Sequence, residues 1–325
     1  MQSIGNPLVW SIFIAIVLAM LAIDLFIVGG GKEHRVSFKE SATWTLVWIG
    51  VSLLFAVGLW FWLANTQGTA IASAKVIEYL TGYLLEKSLA IDNLFVWLMI
   101  FGHFGVPATL QKRVLVYGIF GALILRTIMI LLGAALIARF HWVLYLFGAF
   151  LLYTGVKMAW FSEEEPDLEN NALILWLRRH VRITPALVGE RFFVWLDENG
   201  QRVRHATPLL LVLVLVEFSD IVFAVDSIPA VFAVTTDPFI VLTSNIFAIL
   251  GLRAMYFMLA GMADRFALLK FGLAAVLIFV GVKMLLMDIY SIPTGFSLAV
   301  IVTFIGISVW LSLRHARDKS AHPGK

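Results

Sequence analysis

Long apolar runs, separated by short polar segments, dominate this sequence from end to end. A helix that spans a bilayer needs about 20 mainly apolar residues. Nine runs meet that length: 7–28, 42–63, 77–101, 114–138, 142–160, 207–234, 239–260, 266–287 and 294–313. The first run lacks the basic start and the small-residue cleavage pattern of a signal peptide, so we expect it to be retained. The pattern predicts an all-α fold, a polytopic transmembrane helix bundle of about nine helices.

Composition agrees with a lipid environment. Hydrophobic residues make up 61 % of the 325 residues and charged residues 14 %, whereas soluble domains average about 45–50 % and about 25 %. The formal net charge is +3, but the basic residues lie between the apolar runs, which favours membrane orientation over a nucleic-acid partner. The chain has no cysteine, which excludes disulfides and thiolate metal sites. Any bound metal would have hard ligands, which suit Mg²⁺, Ca²⁺ or Mn²⁺.

The positions of lysine and arginine predict how the chain is oriented. With the N-terminus outside, 17 of the 24 basic residues lie in inside segments, and only Lys75 and Arg139 lie outside. Cytoplasmic loops of membrane proteins carry such an excess. We therefore expect a multi-pass protein whose N-terminus is outside and whose C-terminus is cytoplasmic.

One long polar segment, 161–206, falls on the predicted cytoplasmic side. Its pattern predicts a short amphipathic helix near Leu173–Val181. It also predicts a β-hairpin around Asn199-Gly200, because Asn-Gly is favoured in two-residue hairpin turns. Two interpretations of this segment remain open: a solvated connector, or an element that regulates the protein or docks a membrane-protein partner.

The sequence also repeats itself, with charged residues matching in order. The matching segments are 120–126 with 247–253, 139–140 with 265–266, 155–158 with 281–284, and 86–93 with 220–227. Each copy covers three helices, and because three is odd the second copy must enter the membrane upside down. Inverted repeats of this kind are a transporter architecture, with the site near the midplane where the copies meet.

This repeat sets the predicted domain organisation. Residues 1–76 form peripheral helices one and two, and 77–160 form repeat unit one with helices three to five. Residues 161–206 form the cytoplasmic loop, and 207–287 form repeat unit two with helices six to eight. Residues 288–325 form helix nine and a basic tail.

Helices three and six carry the candidate site. The residues assigned to this site are Glu86, Asp92, Asn93, Glu217, Asp220, Asp226 and Ser227. A charge at the bilayer centre costs about 2.5–3.5 kcal/mol, and such residues usually face a bundle interior and mark an ion path. The five carboxylates outnumber the cations Lys87, Arg126 and Arg253 within the helices. A divalent cation would close that difference, and so would protonation. A metal site, a proton relay and purely structural ion pairs therefore remain open.

Helical spacing qualifies how these acids can converge. Six residues turn a regular helix by about 240°, so Glu86 and Asp92 would diverge, as would Asp220 and Asp226, unless the helix is unwound. Pro229 can provide such a break in helix six, whereas helix three has no such residue, and a broken helix would also expose carbonyl ligands. Whether either helix is broken stays open. Arg126 and Arg253 are expected to hold the carboxylates in position. Asp24, near the end of helix one, is expected to reach toward the membrane surface.

The segments Glu86-Lys-Ser-Leu-Ala-Ile-Asp-Asn93 and Glu217-Phe-Ser-Asp-Ile-Val-Phe-Ala-Val-Asp-Ser-Ile-Pro-Ala230 resemble the two signature segments of the TerC family. Thr235-Thr-Asp-Pro-Phe-Ile-Val241 and the loop hairpin are similar to its Alx branch. The resemblance implies a protein of the bacterial inner membrane that exports Mn²⁺, a transporter rather than an enzyme, with Mn²⁺ as substrate and no cofactor. It implies that the metal ligands are Glu86, Asp92, Glu217, Asp220 and Asp226, together with Asn93 and Ser227.

Two other functions stay open beside export, in which protons could be countertransported. A non-transporting accessory protein that delivers metal to exported enzymes would have the same sequence features. An intramembrane aspartyl protease also needs two buried aspartates, but the chain has no Gly-x-Gly-Asp motif, and five clustered acids exceed what that chemistry requires.

Overall fold

The helices of the structure follow the apolar runs of the sequence. A computed structural model describes residues 3–25, 37–160, 172–198, 201–260, 268–290 and 292–321. Its helices are α1 Pro7–Ile23, α2 Phe38–Gln67, α3 Thr69–His103, α4 Ala108–Arg139, α5 Val143–Trp160, α6 Ala172–His180, α7 Pro208–Phe232, α8 Pro238–Ile249, α9 Leu252–Ala260, α10 Leu269–Leu285 and α11 Thr294–Ala321. Its strands are β1 Phe193–Glu198 and β2 Gln201–Ala206. Within the described residues each predicted run overlaps a helix, and the predicted polytopic helical bundle is confirmed, whereas the count of about nine spanning helices stays a prediction.

Length and apolar composition suit these helices to a membrane. Within the described residues, six helical segments are long and apolar enough to cross one: Phe38–Gln67, Ala108–Arg139, Val143–Trp160, Pro208–Phe232, Pro238–Ala260 and Thr294–Arg314. Large apolar side chains point outward on the peripheral helices, as with Leu54 at 71 % exposure and Leu132 at 65 %. Such surface is unfavourable in water and favourable against lipid. Helix α3 also runs through the bundle but carries more charge, because it holds half of the candidate site.

One spanning segment is broken in its middle. The segment Pro238–Ala260 is divided into α8 and α9 at Gly251, whose φ is +92°. Residues with a side chain rarely adopt this conformation, and a Cβ there would lie 2.8 Å from the Trp48 ring. Glycine at this position therefore permits both the break and the close approach of α2.

The break that Pro229 could have introduced is absent. Helix α7 continues from Pro208 to Phe232 with Pro229 inside it, and α3 is continuous as well. Pro229 lies in the last turns of α7, where the missing N–H removes a single bond. The following turn is intact, because the N–H of Ala233 donates to the carbonyl of Pro229 at 3.0 Å.

Helix α3 lies against α7 in the opposite direction. Asn93 contacts Asp220 at 3.1 Å and Trp97 contacts Ser219 at 3.3 Å, while a Cβ at Gly82 would lie 3.2 Å from Val231. Residue numbers thus rise along α3 as they fall along α7. This antiparallel contact brings the two charged segments of the sequence together.

Helices α5 and α10 pack closely against each other at glycine positions. A Cβ at Gly155 would lie 3.0 Å from the carbonyl of Ala274, and one at Gly281 would lie 2.8 Å from the carbonyl of Gly148. The same offset of 126 residues relates Gly148 to Ala274 and Gly155 to Gly281. An inverted repeat would produce this reciprocity. The repeat itself stays a prediction, which these contacts support.

The helix and hairpin expected within 161–206 are present. Helix α6 covers Ala172–His180, and β1 pairs with β2 in antiparallel register from Phe193↔Ala206 to Glu198↔Gln201. The hairpin base is tied to the start of α4, because Arg113 forms an ion pair with Glu190 at 2.7 Å and Tyr117 makes an edge contact with Phe192. The acidic cluster at 163–169 lies outside the described residues.

Candidate functional site

Arg126 of α4 is at the centre of the buried charged cluster. Its guanidinium donates to both carboxylate oxygens of Asp220, from Nε at 3.0 Å and from Nη2 at 2.7 Å. Its Nη1 forms an ion pair with Glu86 and lies 3.4 Å from the hydroxyl of Ser227. The Arg126, Glu86 and Asp220 side chains are only 1–2 % exposed. A two-point contact of this kind is among the strongest hydrogen-bonded ion pairs.

Asn93 connects the two signature segments directly. Its amide nitrogen donates to Oδ1 of Asp220 at 3.1 Å, and the residue is fully buried. One turn further along α3, the Trp97 indole donates to the Ser219 hydroxyl at 3.3 Å. Because Asp220 accepts from both α3 and α4, its position is fixed by two helices.

Glu217 lies beside this cluster, next to Gly121 of α4, which has no side chain to fill the space. It precedes Asp220 by three residues and therefore shares its helix face. A Cβ at Gly121 would overlap the Glu217 carboxyl group, and Oε2 of Glu217 is buried without a hydrogen-bond partner. Gly121 thus leaves the space into which a third carboxylate projects.

The remaining predicted ligands are placed differently. Asp226 is half-buried and accepts a hydrogen bond at 3.4 Å from Thr154 of α5. Its separation from Asp220 follows from the continuous α7, since six residues turn the helix by about 240°. The side chain of Asp92 lies outside the described residues. The structure therefore gathers Glu86, Asn93, Asp220 and Ser227, with Glu217 adjacent.

The cluster offers oxygen ligands but no assembled metal site in this conformation. Among the described side chains, no three His, Asp or Glu residues form a group that could hold a metal ion. Oε2 of Glu86, Oδ1 of Asn93 and Oε2 of Glu217 are nevertheless buried without a hydrogen-bond partner, whereas Oε1 of Glu86 is paired with Nη1 of Arg126. Buried polar atoms normally have partners. These hard oxygen atoms could bind a cation, but the guanidinium of Arg126 lies among them.

Arg253 does not take the role predicted for it. Its Nη2 donates to the backbone carbonyl of Asp24 and to Oδ1 of Asp24 at 2.9 Å, and both residues are buried. The expectation that Asp24 reaches toward the membrane surface is wrong for the same reason. Arg253 follows the break at Gly251 by two residues, so α9 directs it toward α1 instead of toward α7.

Lys87 makes a contact that sequence reasoning missed. It is buried, at 9 % exposure, and its ammonium group donates to the carbonyl of Ala248 at 3.1 Å. Among the described side chains it forms no ion pair with a carboxylate. No sequence pattern reveals a backbone carbonyl as a partner, since the acceptor is created by the break after α8.

Fold and site together define a polytopic helical membrane protein with a buried cluster of carboxylates around one arginine. Residues 71–320 match the model of one protein family, which is described as "Integral membrane protein TerC family". The chain belongs to the TerC family.

Full-length relatives agree with this assignment. The chain is 55 % identical over 324 residues to the "Putative membrane-bound redox modulator Alx" of Escherichia coli (strain K12), covering 98 % of this chain and 99 % of that protein. It is 49 % identical over 326 residues to the "Uncharacterized membrane protein STKORF319" of Myxococcus xanthus, covering 99 % of this chain and 98 % of that protein. No solved structure matches the chain.

Proposed function

We propose that this protein is a transporter that exports a divalent cation, Mn²⁺, across the bacterial inner membrane. The observation that carries the proposal is the charge of the buried cluster. Arg126 pairs with two carboxylates, Glu86 and Asp220, and a third, Glu217, lies one turn before Asp220 with a buried oxygen that has no hydrogen-bond partner. Among the described side chains, no ion pair joins Lys87 to these acids, because its ammonium group donates to the carbonyl of Ala248. An excess of acids at membrane depth is costly and is typical of ion pathways.

Arg126 gives this proposal a mechanism. The guanidinium pairs with both Glu86 and Asp220 when no metal is present and offsets one of their two negative charges, which lowers the cost of burying them. A divalent cation that uses the same oxygens must compete with Arg126 and loosen at least one of its contacts. Asn93 and Glu217 each have an oxygen without a hydrogen-bond partner, so they are the ligands available before Arg126 moves.

A polar cavity lies between the start of α3 and the end of α7, on one side of the cluster. It has a volume of about 330 Å³ and is lined by Lys75, Glu78, His141, Thr235 and Thr236 among others. Glu78 precedes Glu86 by eight residues, about 12 Å along α3. In the orientation expected from the loop charges this cavity opens outside, which suits an exit from the site.

The choice of Mn²⁺ depends on the family resemblance, since hard oxygen ligands suit Mg²⁺ and Ca²⁺ as well. The name of the Escherichia coli relative refers to redox modulation. This chain has no cysteine, so thiol chemistry of its own does not account for such a role, whereas movement of a redox-active metal would. An accessory protein that binds metal without moving it is the competing function.

Flux through proteoliposomes tests the proposal. We expect the purified chain to move Mn²⁺ to a dye on the far side faster than empty vesicles do. Asp220→Asn should abolish that flux, because it removes a charge at the centre of the cluster while preserving shape. Asp197→Asn, on the exposed cytoplasmic hairpin, is the matched control and should transport normally.

The same assay separates the alternatives. Metal that binds to the wild-type chain but does not cross would refute export and support the accessory function. Equal flux in Asp220→Asn and the wild type would refute the assigned site. A pH gradient imposed across the vesicles should change the rate if protons are countertransported.

A further inference from the structure

The carbonyl end of α8 lies inside the bundle at membrane depth. Helix α8 ends near the middle of the 23-residue spanning segment Pro238–Ala260. The N–H of Leu250 donates to Ile246 at 3.0 Å, and in the described residues no later backbone N–H donates to Ala248. The last carbonyls of a helix have no hydrogen-bond donor within the helix. At membrane depth no water is present to donate instead, so leaving them without a partner is costly.

These carbonyls form a region of negative potential. The C-terminus of a helix carries a partial negative charge of about half an electron, and half-helix ends of this type coordinate cations in transporters. Asn245 lies three residues before Ala248 and therefore shares its helix face. Both amide atoms of Asn245 are buried without a hydrogen-bond partner, so the last turns of α8 hold a second polar group whose hydrogen bonds are unmet.

A positively charged side chain of the protein already occupies this end of α8. The Lys87 ammonium group donates to the carbonyl of Ala248 at 3.1 Å. An ammonium has three donors, and its burial without a described carboxylate partner is costly in a membrane. An apolar residue would fill the same space at a lower cost in free energy. Packing alone therefore does not account for a lysine at this position.

We propose that the carbonyl end of α8 is a binding site for a monovalent cation, and that Lys87 fills it with its own ammonium group. The lysine is a tethered substitute for a dissolved ion such as Na⁺ or a small alkylammonium. This site is distinct from the carboxylate cluster, because its ligands are backbone carbonyls of α8. The wild-type protein therefore needs no soluble monovalent cation at this position, whereas a variant without the lysine ammonium does.

Chemical rescue of Lys87→Ala tests the site. The truncation removes the atoms of n-propylammonium, so that ion should fit the space it leaves. We measure the apparent melting temperature of the full purified chain from its 11 tryptophans, at constant ionic strength. Lys87→Ala should melt below the wild type. Propylammonium should raise its melting temperature saturably, by about 3 °C or more, and leave the wild type unchanged.

Matched controls separate a cation site from general effects of the additive. n-Propanol has the same size without the charge and should not rescue Lys87→Ala. Lys87→Met keeps the volume filled and should not respond to propylammonium, and Lys39→Ala, at an exposed position, should behave as the wild type. Rescue by propanol equal to rescue by propylammonium, or no rescue at all, would overturn the proposal.

A second pair of variants decides the question if Lys87→Ala does not fold. Lys87→Arg keeps the positive charge, whereas Lys87→Gln keeps only a neutral donor for Ala248. We expect Lys87→Arg to melt closer to the wild type than Lys87→Gln. A glutamine variant as stable as the wild type would show that a hydrogen bond suffices and would overturn the proposal. The readout is stability, so it stays informative if the protein does not transport Mn²⁺.

Discussion

Replacing Arg126 with methionine is the sharpest test of how the buried cluster is held together. The change removes both contacts to Asp220 and the ion pair with Glu86 while filling a similar volume. Removing one partner of a buried ion pair costs about 3–5 kcal/mol, because the other charge stays buried and uncompensated. Two carboxylates lose their partner here, so we expect the apparent free energy of unfolding to fall by at least about 3 kcal/mol.

The measurement is a reversible unfolding titration in mixed micelles, followed by tryptophan fluorescence and circular dichroism. The informative comparison is with a neutralised variant that combines Arg126→Met with Glu86→Gln and Asp220→Asn. Replacing every member of a buried ionic group is often close to neutral. The triple variant should therefore regain most of the stability that Arg126→Met loses.

Two outcomes would contradict this reasoning. A loss of less than about 1 kcal/mol in Arg126→Met, the range of an exposed ion pair, would mean that the carboxylates are not held by the guanidinium. A triple variant no more stable than Arg126→Met would mean that the loss comes from packing of the side chain instead of its charge.

Three glycine positions give further predictions, with Gly58→Ala as a shared control because a Cβ there meets nothing within 4 Å. Gly121→Ala should weaken Mn²⁺ binding by about tenfold, measured by titration calorimetry, because the methyl group overlaps the Glu217 carboxyl; unchanged affinity would remove Glu217 from the site. Gly251→Ala should cost about 1–2 kcal/mol of stability in the same unfolding titration, since its φ of +92° is strained for alanine. Gly281→Ala should lower the free energy of unfolding by about 1–3 kcal/mol, because the added methyl group overpacks the contact between α5 and α10. A variant as stable as Gly58→Ala would mean that the two helices can move apart at little cost.

The positions of the helices could be predicted because they depend on the length of apolar sequence, which is local. The hairpin could be predicted because Asn199-Gly200 suits a tight turn irrespective of its surroundings. The break in the seventh run could not, because Gly251 is one of 24 glycines and its positive φ is visible only in three dimensions. The effect of Pro229 could not be predicted either, because a proline disrupts least near the end of a helix.

The candidate site, too, could be predicted only in part from the sequence. Acids at membrane depth identified the cluster from sequence, because burying charge is costly wherever the helix lies. Their partners were not identifiable, since the repeat matches Arg126 and Arg253 equally well. Arg126 reaches Asp220, whereas Arg253 reaches Asp24. Pairing depends on the direction of each side chain, and a single break in the backbone changes that direction.

This difference between the two arginines bears on how the protein could work. Helix α4 is continuous, so Arg126 is part of an unbroken helix that faces the carboxylates. The break at Gly251 separates α9 from α8, and Arg253 lies beyond that break, in contact with Asp24. The same break leaves the carbonyl of Ala248 to Lys87, which adjoins Glu86 in the chain. One interruption of the backbone thus decides two contacts: it places Arg253 against Asp24 of the segment that follows α1, and it leaves a helix-end carbonyl to the lysine beside Glu86.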